Sequence, residues 1–76
     1  MTPVLLIEDT SSLQLVYEAV LRGAGHEVVS AGTAAEGLAR FRELRPQVVL
    51  LDLMLPDRSG LELMRDLLEI APEAHV

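Results

Sequence analysis

Three carboxylates sit where they could share a cation. Glu8 and Asp9 follow the apolar run 4–7 (Val-Leu-Leu-Ile), and Asp52 follows the apolar run 48–51 (Val-Val-Leu-Leu). A buried strand that ends in acid delivers a charge to one edge of a sheet. Two such strands side by side would gather all three carboxylates there. At a separation of ~4 Å and an effective dielectric of ~20, each like-charge pair costs on the order of 4 kcal/mol. The arrangement calls for a hard divalent cation with oxygen ligands.

The elements that must position these acids alternate between strand and helix. The runs 4–7 and 48–51 are short enough for buried strands. Residues 27–31 (Glu-Val-Val-Ser-Ala) are more polar and suit a strand at a sheet edge. Between the strands, Leu13, Val16, Tyr17, Val20 and Leu21 form one helical stripe, and Ala34, Leu38 and Phe41 form a second. Met64, Leu67, Leu68 and Ala71 form a third. Each helix has a capping-box pattern at its start: Ser11 with Gln14, Thr33 with Glu36, and Ser59 with Glu62. Gly23 and Gly25 stop the first helix, Arg45-Pro46 the second, and Pro72 the third. Residues 74–76 have the character of an approach to a fourth strand.

Strands alternating with helices on short loops imply βαβ units and a parallel sheet. The polar strand belongs at an edge, so the order is 2-1-3, with the chain reversal between strands one and three. Ligands of such sheets bind outside the carboxyl ends of the strands at that switch point. Glu8, Asp9 and Asp52 all fall there. The stripes are expected to form the core.

Composition narrows the function. The 76 residues suffice for one small domain. The net charge of −6 argues against this segment binding a nucleic-acid backbone. There is no cysteine, hence no disulfide framework and no thiolate metal site. No run approaches the ~20 apolar residues of a spanning helix, no secretory signal is visible, and the expected location is cytoplasmic. All six basic residues are arginine.

The chain resembles the N-terminal part of a response-regulator receiver domain from two-component signalling. The resemblance is carried by Glu8-Asp9, by Asp52, and by the segment 52–60 (Asp-Leu-Met-Leu-Pro-Asp-Arg-Ser-Gly), with Pro56 four and Gly60 eight residues after Asp52. It implies an α/β, flavodoxin-like, doubly wound parallel sheet. Residues 1–76 would be a single partial receiver, its first three βα units, truncated before strands 4 and 5 are complete. It also implies that Asp52 is the phosphoacceptor for a sensor histidine kinase. Mg²⁺ would be held by Asp9, Asp52 and the backbone carbonyl of Met54, with Glu8 acting through metal-bound water. Such a domain accepts a phosphoryl group and is not a turnover enzyme. The loop 55–60 resembles receivers that precede transcription-activator domains, so an effector domain is a further implied partner.

Receivers use a Ser or Thr after the fourth strand and an aromatic residue and a lysine in and after the fifth. These positions fall beyond Val76, and the chain has no lysine. The expectation is therefore that these residues cannot switch alone. The third strand would have nothing beyond it, an apolar edge that invites a homodimer or a swapped oligomer. The alternative is a truncated or degenerate receiver serving as a non-enzymatic dimerisation or docking module. Two other chemistries fit less well. A haloacid-dehalogenase-like phosphatase needs a second aspartate where Met54 stands. A dinucleotide site needs a Gly-rich turn where Glu8-Asp9-Thr10-Ser11-Ser12 stands. Asp57 is expected to be a solvated turn residue, His26 and His75 incidental, and the arginines solvated.

Overall fold

A computed structural model describes residues 2–76 of the chain. Three strands and three helices alternate: β1 (Val4–Ile7), α1 (Ser11–Gly23), β2 (Val28–Ala31), α2 (Ala34–Leu44), β3 (Val49–Leu51) and α3 (Gly60–Ile70). The sheet is parallel, in the order β2-β1-β3, as the sequence predicts. The register pairs Ile7 with both Ala31 and Leu51, so the strands finish level with one another. A fourth strand does begin. Val48 bridges His75 in parallel, and Val49 N–H donates to the His75 carbonyl at 2.7 Å. The expectation of an uncovered third strand is corrected for its first residues, which this backbone pairing satisfies.

The two faces of the sheet differ. Leu5, Ile7, Ala31 and Val49 point to one side and meet Ala34 and Phe41 of α2 and Leu63 and Leu67 of α3. Phe41, Leu5, Ile7, Leu63 and Leu67 are fully buried. Burial of each such large side chain contributes about 1.5–3 kcal/mol. Gly37 lets α2 lie on β1, because a Cβ there would come within 2.6 Å of Ile7 Cδ1. The other face carries only α1, which packs against β2. The stripe of α1 is therefore not core: Leu13, Val16, Tyr17 and Val20 are 41, 55, 43 and 66% exposed. A single helix cannot cover a three-stranded face.

The helix ends also depart in places from expectation. The N-cap of α1 is Thr10, without a side-chain cap bond, and Gln14 turns elsewhere. Thr33 caps α2 as predicted, its Oγ1 accepting from Glu36 N–H at 3.1 Å. Ser59 caps α3 by accepting from Leu61 N–H at 3.2 Å, while Glu62 faces Arg58. The buried face of α3 is Leu63 and Leu67, with Ala71 beyond them; Met64 and Leu68 are only half-buried. At the end of α1, Gly25 (φ 92) sits in the left-handed region. His26 N–H reaches Leu21 O and Gly25 N–H reaches Arg22 O, the paired bonds of a Schellman stop. Arg58 is not simply solvated, since it pairs with Asp66 at 2.8 Å.

The loop between β3 and α3 is held at both ends. A Cβ on Gly60 would collide with the Asp52 carbonyl and lie 2.6 Å from Leu53 Cα, so only glycine lets α3 start against the loop. Gly60 N–H also donates to the Leu53 carbonyl at 2.9 Å. At the centre of the loop, Asp57 does more than face solvent. Its Oδ1 accepts from Ala34 N–H at 2.8 Å and its Oδ2 from Ala35 N–H at 3.0 Å, capping α2 from a distant part of the chain. These two bonds hold its carboxyl below the usual carboxylate range. A lowered value adds stability above the ordinary pKa of ~3.9 that is lost as pH falls through the folded-state value. Asp57→Ala is thus expected to lower the melting temperature at neutral pH, and its gap from wild type should close in acid. Parallel thermal melts across pH check this; a gap constant with pH would assign the loss to something other than the cap.

Candidate functional site

The ends of β1 and β3 deliver the three predicted carboxylates to one place. Asp52 N–H donates to Ile7 O at 3.0 Å, the last rung between these strands, and Glu8 N–H donates to Ala31 O at 2.9 Å. Beyond these rungs, one oxygen of each of Glu8, Asp9 and Asp52 lies within 4.8 Å of the others. Glu8 is buried, at 4% exposure, Asp52 is half-buried and Asp9 is exposed. The fourth predicted residue, Met54, stands on the same loop. Its N–H donates to Asp52 Oδ1 at 3.1 Å, and its side chain is 82% exposed.

The three acids are electrostatically unequal. Burial pushes the Glu8 carboxyl up to about 7, assisted by the hydrogen bond it makes to Asp52 and by the charges of Asp52 and Asp9. The Met54 N–H, followed by the Glu8 carboxyl, holds Asp52 below the ordinary value. Asp52 is thus the ionised member of the pair, and Glu8 is the one with the higher proton affinity. With Glu8 ionised, its Oε2 is buried without a hydrogen-bond partner. A buried acceptor with no donor is costly, and a bound cation or a proton would relieve it.

Two residues around the acids escaped the sequence reading. Gln14 Nε2 donates to the Glu8 carbonyl at 2.5 Å and lies 3.4 Å from the Ala31 carbonyl. Tyr17, read only as part of a stripe, lines a groove of about 440 Å³ together with Leu6, Glu8, Leu50, Asp52 and Leu53. Helical spacing puts Gln14 and Tyr17 one turn apart near the start of α1, which is the signal that could have placed both beside the strand ends. His26 and His75 are not in the acid cluster.

Known proteins share the sequence pattern and the fold. The sequence pattern of the response regulator receiver domain matches residues 4–76. The chain is 42% identical over 62 residues to the DNA-binding response regulator MtrA of Mycobacterium tuberculosis, covering 82% of this chain and 27% of that protein. The chain thus spans about a quarter of the length of this relative. Among solved structures, a CheY-like receiver domain protein from Methanospirillum hungatei superposes with a TM-score of 0.92 at 30% identity, over 97% of this chain and 59% of that one. The response regulator TrrA of Thermotoga maritima, solved with Mg²⁺-BeF, gives 0.92 at 26% identity, over 97% of this chain and 64% of that one. TrrA has also been solved in complex with the histidine kinase ThkA. No helix among the described residues is long and apolar enough to cross a membrane. The fold is the CheY-like, flavodoxin-like parallel sheet, and with the sequence pattern matched from Val4 to Val76, the chain belongs to the response regulator receiver domain family.

Proposed function

We propose that this domain accepts a phosphoryl group on Asp52 from a sensor histidine kinase. The observation that carries the reading is the ionised Asp52 carboxylate, set at the end of β3 with oxygens of Glu8 and Asp9 within 4.8 Å. Phosphoryl transfer needs positioning and charge neutralisation more than covalent help from the protein. An aspartate oxygen attacks phosphorus, the P–N bond to the kinase histidine breaks, and the imidazole leaves, giving an acyl phosphate. MtrA is a DNA-binding response regulator and TrrA has been solved with a kinase; both support a kinase partner and an effector domain for the whole protein.

The residues fit Mg²⁺. The donor set is all oxygen, from carboxylates and a backbone carbonyl, the chemistry this hard cation selects. The buried Glu8 Oε2 lacks any other partner. Asp9 and Asp52 would hold the ion directly with the Met54 carbonyl, and Glu8 would act through a bound water. When bound, the ion neutralises charge on the phosphoryl oxygens. The protein's own part is to keep Asp52 ionised through the Met54 N–H and to aim it from the rigid end of β3.

Exposure to a small-molecule phosphodonor with Mg²⁺ should place one hydroxylamine-labile phosphoryl group on the chain, read by intact mass. Asp52→Asn should abolish it. A mass gain that survives Asp52→Asn would overturn the assignment. Absence of Mg²⁺ binding by the wild type would favour the docking-module alternative.

The raised Glu8 value gives a second expectation. A folded-state value near 7 above an ordinary 4.5 stabilises the fold fully below pH 4.5, and this contribution is lost as pH rises through 7. In EDTA, the melting temperature should therefore fall across this window by roughly several degrees. Mg²⁺ requires Glu8 deprotonated, so its stabilisation should grow over the same window. Glu8→Gln should flatten the EDTA slope; an unchanged slope in that variant would assign it to other groups.

A further inference from the structure

We infer that Gln14 is a positioning residue for the metal site, fixing the Glu8–Asp9 peptide so that the two acids face Asp52 together. Sequence spacing makes Gln14 a capping partner of Ser11, but the structure assigns it to the opposite direction. Its side-chain amide crosses from the first turns of α1 to the strand ends, donating to Glu8 O at 2.5 Å and approaching Ala31 O at 3.4 Å. The Ala31 carbonyl ends β2 and the Glu8 carbonyl lies one residue past β1, and Ala31 O already accepts from Glu8 N–H at 2.9 Å. The Glu8 backbone is therefore pinned on both sides, by β2 through its N–H and by α1 through its carbonyl.

The second pin matters because Glu8 is the first residue past the end of β1. Beyond Ile7 no ladder constrains the peptide that joins Glu8 to Asp9. A turn of that peptide would swing the exposed Asp9 carboxylate away from Asp52 while leaving β1 intact. The side-chain amide of Gln14 opposes that turn, since its N–H groups have a fixed acceptor there. Partners that orient ligands without touching the metal typically alter its affinity by 10–100-fold when removed. Replacing the amide should accordingly loosen the cation site more than the fold.

This inference rests on the metal reading proposed above, and the test separates the two. Mg²⁺ is titrated calorimetrically into the 76-residue wild type and Gln14→Met, and both are melted in EDTA. Methionine keeps the length and the helix propensity of glutamine but has no donor. The expected result is an Mg²⁺ affinity about tenfold weaker, with EDTA melting close to wild type. Unchanged affinity, with or without a lower melting temperature, would leave Gln14 a structural residue only and overturn the inference. If Gln14→Met does not fold, Gln14→Asn replaces it. Its amide is one methylene too short to reach both carbonyls, and wild-type affinity there would overturn the inference equally. A wild type that binds no Mg²⁺ would overturn the metal reading and this inference with it.

Discussion

The hydrogen bond from the Asp52 amide to the Ile7 carbonyl, at 3.0 Å, closes the ladder between β1 and β3 and forces three negative side chains into one small space. Parallel strands that end level cannot avoid this when both are followed by acid. Each like-charge pair at ~4 Å costs on the order of 4 kcal/mol at an effective dielectric of ~20. The domain meets that cost by making the three acids different. Asp52 receives the Met54 N–H, Glu8 takes the buried position and the higher proton affinity, and Asp9 stays in water. The sheet imposes the proximity, and the loops distribute the charge.

The remaining elements can be ranked by how directly they serve that rung. α2 and α3 press Leu5, Ile7 and Val49 into the one dense core, so the strand ends cannot shift without disturbing Phe41, Leu63 and Leu67. The loop carrying Asp52 is then fixed from two sides. Gly60 brings the start of α3 against its first residues, and Asp57 ties its middle to the N-terminus of α2. The helix N-terminus favours a carboxylate there through its exposed N–H groups and its dipole. α1 does less for the core. It is joined to β2 by Glu18, which accepts from Ser30 and pairs with Arg22, and it leaves Tyr17 and Leu50 lining an open groove beside the acids.

The strands and the acids were legible because each rests on a local rule. An apolar run of four residues closed by acid marks both a strand and the direction in which its charge is delivered. The polar middle of β2 gave away its edge position, and with it the sheet order. The face of α3 was harder to place because Leu61, Leu63, Met64, Leu67, Leu68 and Ile70 cover most of its circumference. Which of them is buried depends on how Gly60 docks the helix, and periodicity carries no information about that. The cap of α1 was misplaced for a related reason. Thr10, Ser11 and Ser12 are all plausible N-caps by residue type, and the backbone selects Thr10, extended at φ −85 and ψ 113. Asp57 was out of reach of any local pattern, since its partners Ala34 and Ala35 lie more than twenty residues earlier.

The order of the acidic pair follows from the pleat of β1. Leu5 and Ile7 point into the α2–α3 core, so alternation sets Glu8 with Leu6 on the α1 face, where both are buried, and leaves Asp9 exposed beyond the last rung. The buried position falls to Glu8 and the exposed one to Asp9. A buried carboxyl among other acids binds a proton when no cation is present, which keeps the empty site from carrying three full charges. With the Mg²⁺ proposed above, the same carboxyl would have to release that proton. An exposed acid at position 8 would retain its charge at neutral pH and leave the repulsion uncompensated in the empty state. Burial of Glu8 therefore makes the acid cluster compatible with a fold of only three described strands.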